Sequence, residues 1–407
     1  MQNDMTGKMS EQPVPARDSA CGKRSMITIL AVGIVFLVLV ALVWLTPDRA
    51  HSVSERRKLK QMPDVTSSTI FSGRFMSEFE SYALDQFPLR DGFRSMKAMI
   101  SPKMDNNDIY VVDGVIGSMD YPLNGEKLDY AVGRIQNACE LLLTGGDSRL
   151  FFSIIPDKNF FMAAQNGYLA YDYDALVKRM TDGLCQQPLG AGLGKMEYID
   201  ISPLLTAESY YRTDTHWKQE CILPVANALL TAMSERATVE GAVTDDAAQN
   251  TEVPFDVEQY RMETPEGDFY GVYYGQAALP LQPDKIRYLT NDIIDGYQVF
   301  DFENNREIPV YDLGKMASDD PYELFVGGPL SLVTIENPAV EEGQLIVFRD
   351  SFGSSIAPLL AQNYAKTTLI DIRYIQPLML KKMVDFTDAD VLFMYSSMVL
   401  NHSETLK

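Results

Sequence analysis

Leu345-Ile346-Val347-Phe348-Arg349-Asp350-Ser351-Phe352-Gly353-Ser354-Ser355 is the stretch on which the fold turns. Four consecutive apolar residues run into Asp-Ser and a small-residue turn, after which the spacing suits a helix. An unbroken apolar run fits a strand buried on both faces, as in a parallel sheet flanked by helices. Ser351 then stands at the carboxyl end of its strand, where such sheets place their sites. Gly353 lets the backbone turn closely, and N–H groups at the helix start face any negative charge developing there. A serine also commonly caps a helix, and on this stretch alone capping is the plainer use.

Outward from this stretch the same alternation recurs. A hairpin is expected over Ile109 to Ile116, and a helix from Glu126 to Leu143 stopped by Gly145-Gly146. The strand Leu150 to Ile155, the helix Tyr173 to Leu184 and the strand Glu197 to Ile201 follow. Beyond Gln344 to Phe348 come a helix from Ser354 to Gln362 and strands at Thr367 to Ile372 and Val391 to Tyr395. This alternation predicts an α/β domain with a mainly parallel sheet over residues 70–407. From about 237 to 340 Gly, Pro, Tyr and acidic residues dominate. Short strand-like pieces at Tyr297 to Phe302 and Ile308 to Leu313 make this a β-rich insertion within the domain.

Ahead of the domain, Met26 to Leu45 reads MITILAVGIVFLVLVALVWL without a charge. About twenty helical residues span the roughly 30 Å hydrocarbon core. Thr46-Pro47-Asp48 is a poor cleavage site, so an uncleaved transmembrane helix is expected rather than a signal peptide. Residues 1–25 read as a polar, disordered tail and residues 46–69 as a linker. Phe71, Phe75, Phe79, Tyr82 and Phe87 then mark an amphipathic helix that Pro88 would stop. Basic residues flank the apolar segment almost equally, so they do not set its orientation.

The chain carries 56 acidic against 35 basic residues, a formal charge of -21. Such a balance, with no basic stripe, excludes nucleic acid as a natural partner. The four cysteines, Cys21, Cys139, Cys185 and Cys221, have no metal-ligand spacing, though one bridge among the last three stays open. Only His51, His216 and His402 are present, so a histidine-dependent mechanism has few places to reside.

A serine nucleophile needs a base, and Tyr210-Tyr211-Arg212-Thr213-Asp214-Thr215-His216-Trp217 offers one. Asp214 and His216 are two apart, so in extended backbone their side chains leave on one side. An aspartate so placed fixes the imidazole tautomer and stabilises the imidazolium. A structural histidine, or a metal pair of Asp214 and His216, competes with this reading. No metal and no cofactor is expected, since no Cys or Glu cluster lies near. Trp217 either walls a site or fills the core. His51 lies near the membrane end and His402 in the tail, so neither is a well-placed alternative base.

Together the two segments resemble the bacterial DHHW family and the related alginate O-acetylation proteins, both with SGNH-hydrolase-like domains. The eponymous motif here is Asp214-Thr215-His216-Trp217, with threonine for the first histidine. Asp350-Ser351-Phe352 through Ala357-Pro358-Leu359-Leu360, then Leu369 to Tyr374, look like the nucleophile block and its next strand. Tyr322 to Gly328 (YELFVGG) and Asp85 to Arg90 (DQFPLR) also fit, so the likeness covers about Phe71 to Tyr395. It implies a three-layer domain with permuted motif order, the acid and histidine ahead of the serine. Ser351 would be nucleophile, His216 general base and acid, and Asp214 the orienting carboxylate. Asp350, Trp217, Lys158 and Arg349 are further site neighbours on this reading. Arg349 departs from the wider superfamily, where glycine often precedes Asp-Ser, and Lys158 reads more plainly as an exposed loop lysine.

The resemblance further implies a single-pass protein of the cell membrane. Its tail would be cytoplasmic and its domain extracytoplasmic, handling surface or exported polysaccharide, with a multi-pass membrane acyltransferase as acyl donor. A carbohydrate esterase using the same three residues, or a non-catalytic glycan-binding assembly factor, stays open beside the O-acetyltransferase.

Overall fold

The computed structural model describes residues 19–52, 57–100, 108–143, 148–189, 194–235 and 255–407, which divide into two compact units. Most of the expected tail, Gly145-Gly146 and residues 237–254 of the expected insertion lie outside the described residues.

The first unit begins with α1 (Ser19–Leu45), which starts ahead of the apolar run and so takes in the last residues assigned to the tail. Its stretch Met26–Val43 has a mean hydropathy of 3.2 and no buried share, and by length and composition is able to cross a membrane. The stretch expected as a linker is partly folded. His51–Ser52 pairs antiparallel with Arg57–Lys58, and Ser67–Phe71 is a short helix capped by Thr66. The aromatic helix is split in two, because Gly73 takes φ 73° before Arg74–Gln86 begins.

Asp85 closes this unit. Its carboxylate accepts two bonds from the Arg57 guanidinium at 2.8 and 2.6 Å, and one from the Lys60 N–H at 2.9 Å. The Arg57 pairing, against the cost of burial, holds its pKa below the usual range. Gln86 bonds both the N–H and the carbonyl of Arg49, at 2.9 and 3.0 Å. The DQFPLR stretch therefore ties down the chain that leaves α1.

The second unit is built on a sheet whose described strands are β1 (Arg149–Ile155), β2 (Glu197–Tyr198), β3 (Gln298–Asp301), β4 (Arg306–Ile308), β5 (Leu332–Glu336), β6 (Gln344–Arg349), β7 (Lys366–Ile370) and β8 (Asp390–Ser396). The order is β4-β3-β5-β7-β6-β8-β1-β2. Strand β6 is central and parallel to both neighbours: Val347 lies opposite Leu369 of β7 and Leu392 of β8. Strands β8, β1 and β2 continue the parallel part.

Strands β3, β4 and β5 add on antiparallel, with Val333 opposite Leu369, so the sheet is mixed where a mainly parallel one was expected. The outermost strands carry exposed polar residues (Gln298, Arg306, Glu307), which suits the edge of a sheet in contact with water. Strands β3, β4 and β5, which fall within the expected β-rich insertion, extend the sheet of the domain.

Period-two alternation sends side chains to opposite faces. Leu345, Val347, Leu392 and Met394 pack against helices α4 (Leu223–Glu235) and α5 (Phe352–Leu360). Ile346, Phe348, Val391 and Phe393 pack on the other face against α2 (Gly125–Leu142) and α3 (Tyr173–Leu184). Each such side chain contributes about 1.5–3 kcal/mol when fully buried. The result is the helix–sheet–helix layering expected from the sequence, with the carboxyl end of β6 leading straight into α5. Cys139, Cys185 and Cys221 are free thiols, so the bridge left open among them is not formed.

Candidate active site

Strand β6 ends at Arg349 and α5 starts at Phe352, leaving Asp350 and Ser351 on the connecting turn. The Asp350 carboxylate points inward: Oδ1 accepts from the Phe352 N–H at 3.0 Å and Oδ2 from the Ser396 N–H at 2.7 Å. It braces the turn against β8 rather than facing a substrate. Gly353 is required here, since a Cβ would come within 2.6 Å of Arg349 Cβ. No acceptor for the Ser351 N–H is present among the described residues, and that donor sits beside its own hydroxyl.

Ser351 does not cap its helix through its side chain. Its Oγ lies 2.8 Å from His216 Nε2, across 135 positions of sequence. His216 Nδ1 lies 2.6 Å from Asp214 Oδ1, and the same oxygen accepts the His216 backbone N–H at 3.0 Å. The second oxygen of Asp214 accepts from the Val272 N–H at 2.8 Å. Burial works to raise the Asp214 pKa, but the facing imidazole and these N–H donors outweigh it and hold the carboxyl well below its ordinary range. An ionised carboxylate on Nδ1 places that ring proton on Nδ1 and leaves Nε2 to accept from the serine hydroxyl.

The loop carrying Asp214 and His216 has no helix or strand of its own; other segments hold it. Asp284 Oδ2 accepts from the Thr213 N–H at 2.8 Å and the Thr213 hydroxyl at 2.7 Å, while its Oδ1 takes the Arg212 N–H at 3.0 Å. Gly271 passes so close to Asp214 that a Cβ would meet Asp214 Cβ at 2.2 Å. The Tyr322 ring stacks on the imidazole at 3.8 Å and 10°, and its hydroxyl donates to Ser355 Oγ at 2.8 Å. Trp217 Nε1 donates to that same Oγ at 2.8 Å with its ring fully buried, so Trp217 fastens the loop to α5 and fills the core.

Lys158 is buried, not the exposed loop residue the sequence suggested. Its Nζ donates to the carbonyls of Tyr211 at 2.7 Å and Asp214 at 2.8 Å, behind the loop. Burial lowers its pKa to about 7, against the opposing pull of Asp214 and Asp284. Arg349 is likewise fully buried, with Nη2 donating to the carbonyls of Gly328 at 3.1 Å and Leu330 at 3.3 Å. It braces the loop after the YELFVGG stretch and does not face outward. His402 is paired with Asp120 at 2.8 Å, and no group of three or more His, Cys, Asp and Glu poised for a metal occurs among the described residues.

Ser351, His216 and Asp214 are therefore brought together, while Asp350, Lys158, Arg349 and Trp217 support them from behind. Sequence reading missed Asp284 and the Gly271-Val272 backbone altogether, and gave Tyr322 no role. The contacts of Asp284 and of Gly271-Val272 to the loop bridge 58 to 72 positions, and no local spacing announces them.

A central parallel strand ending in Asp-Ser, flanked by helical layers and preceded in sequence by the Asp-Thr-His-Trp loop, defines a three-layer α/β domain. The chain shares its fold with a DHHW family protein from Eubacterium siraeum: TM-score 0.53 at 20% identity, covering 74% of this chain and 95% of that one. It shares it also with Bacillus cereus PatB1, at TM-score 0.54 and 15% identity over 72% and 96%. PatB1 is known in addition with a sulfonyl adduct, a structure matched at TM-score 0.54 and 15% identity over 73% and 97%. No protein-family model and no curated protein matches the chain.

Proposed function

We propose that this chain is a membrane-anchored O-acyltransferase, transferring acetyl groups to a cell-surface or exported polysaccharide through Ser351, His216 and Asp214. The observation that carries the reading is the unbroken Ser351–His216–Asp214 hydrogen-bonded chain, 2.8 and 2.6 Å long. In the first step Ser351 Oγ attacks the acyl carbonyl while His216 Nε2 takes its proton. The oxyanion forms beside the Ser351 N–H, and the leaving group departs with the proton from Nε2. A sugar hydroxyl then attacks the acyl-serine, giving its proton to Nε2, and Ser351 recovers it as the sugar ester leaves. Asp214 stays ionised throughout and stabilises the imidazolium. A multi-pass membrane acyltransferase would supply the acyl group from the other side of the bilayer, with α1 holding the domain outside the cell.

Ser351 is only partly buried, so water can reach the acyl-serine. This favours, as a second reading, an esterase with the same three residues. A fluorophosphonate or sulfonyl fluoride probe should label Ser351 in the wild type and not in His216→Ala; an unlabelled wild type would sink both readings and leave a non-catalytic glycan-binding factor. Measuring acetyl release against transfer to a glycan acceptor then separates transferase from esterase.

A further inference from the structure

The first unit exposes more apolar surface than α1 alone explains. On the helix Arg74–Gln86, Phe75, Met76, Phe79, Tyr82, Ala83 and Gln86 fall within an arc of about 120° at 100° per residue. Met76 is 67% and Phe79 37% exposed, and Phe71, just ahead of the helix, is 90% exposed. Phe75 and Phe79 stack at 5.7 Å, and Phe79 meets Tyr82 at 5.9 Å, so the arc presents a continuous aromatic surface.

What covers this face follows from where the helix is tied. The Tyr82 hydroxyl donates to the Asp48 carboxylate at 3.0 Å, and Gln86 bonds the Arg49 backbone in both directions. These anchors lie on the same arc as the exposed rings. Asp48 is three residues past Leu45, the last residue of α1. Three residues reach at most about 10 Å. Through Tyr82 and Gln86 the apolar arc is thus tied to the residues that directly follow α1.

We infer that the helix Arg74–Gln86 lies in the lipid–water interface, its Phe75, Met76 and Phe79 side chains among the acyl chains beside α1. The occupant of the exposed face is the bilayer, and this inference rests on α1 being a membrane span. Tyrosine suits that depth, with its ring in the apolar zone and its hydroxyl outward. A helix with one apolar and one charged face (Arg74, Glu78) lies flat at such a boundary. The second anchor would fix the angle at which the chain leaves the membrane, which a single helix does not.

The chain's two tryptophans make the test simple. Trp44 belongs to the apolar segment and Trp217 is fully buried in the outer domain. Full-length protein is reconstituted in nanodiscs of phosphatidylcholine and phosphatidylglycerol whose acyl chains are brominated near the headgroup. Wild-type emission should be quenched through Trp44, and Trp44→Phe should abolish the quenching. Adding Phe79→Trp, or separately Met76→Trp, to Trp44→Phe should restore it, whereas Leu84→Trp on the opposite face should not. Quenching of Trp44 without quenching at positions 76 and 79 overturns the interfacial helix and leaves the anchor standing. A wild type without quenching overturns the anchor, and the interfacial helix with it.

Discussion

The nucleophile and the base of this site are held in opposite ways. Ser351 stands on a turn between a central strand and a helix, in a sheet whose neighbours on both sides are parallel and buried. His216 stands on an irregular loop pinned from without by Asp284, by the Gly271-Val272 backbone and by the Tyr322 ring. Regular structure fixes the first through many small contacts, while the second hangs on a few individual hydrogen bonds. Damage to the loop should therefore reduce catalysis well before it reduces stability, and damage to the core should do the reverse.

The largest effect should come from the meeting point itself. Ser351→Ala, assayed for acetyl release and transfer, should lose on the order of 10⁴-fold or more in kcat; retained turnover would remove the serine from the reaction. Asp214→Asn should follow at about 10⁴-fold, because an amide no longer fixes the tautomer of the imidazole. Rates near wild type would mean that the carboxylate serves only the loop.

Asp284→Ala sharpens the comparison, since this carboxylate touches no reacting atom. Misplacing a catalytic group by about 1 Å costs about 10²-fold. We expect such a fall in kcat and in the rate of fluorophosphonate labelling, with a loss of only about 1–3 kcal/mol in urea unfolding as the Thr213 donors lose their acceptor. A large loss of stability with normal kcat per folded molecule would contradict the division between loop and core.

Lys158→Met probes the same loop from inside. It leaves the buried carbonyls of Tyr211 and Asp214 without their donor, at about 1–3 kcal/mol. Denaturant unfolding should show that loss; an unaltered midpoint would mean that water replaces the ammonium.

The smallest effect belongs to the core side. Asp157 follows the carboxyl end of β1, where burial and then the Asp120 carboxylate raise its pKa from 3.8 to about 6. Between those values the folded chain keeps a proton that the unfolded chain releases, so stability should fall as pH rises across that window. Asp157→Asn should flatten this slope in urea titrations between pH 4 and 6; a slope unchanged by the substitution would assign it elsewhere.

The same contrast explains what could be read from the sequence. The four-residue apolar run before Ser351 and the helix Tyr173–Leu184 are local patterns, and the structure meets them almost residue for residue. The Asp-Thr-His-Trp segment was legible because its two chemical residues are two positions apart. Asp284 was not, because an aspartate between proline and lysine in a polar stretch looks like surface until its partner 71 positions earlier is known. Arg349 misled for the opposite reason. Its position next to the serine suggested a place in the site, yet β-strand alternation turns it under the loop at Gly328 and Leu330. Of the antiparallel strands, β3 and β4 were read only as separate short pieces and β5 not at all, because pairing across an insertion leaves no periodic trace.

The pin on Thr213 also carries a consequence for biosynthesis. The ribosome makes the histidine loop first, then Asp284 some 71 residues later, and Ser351 135 residues after His216. Strand β1 waits longer still for its parallel neighbour β8, whose Asp390 pairs with Arg149. A nascent chain therefore has no competent centre until nearly all of the domain has emerged, and a product truncated before β6 carries an imidazole with no hydroxyl to activate.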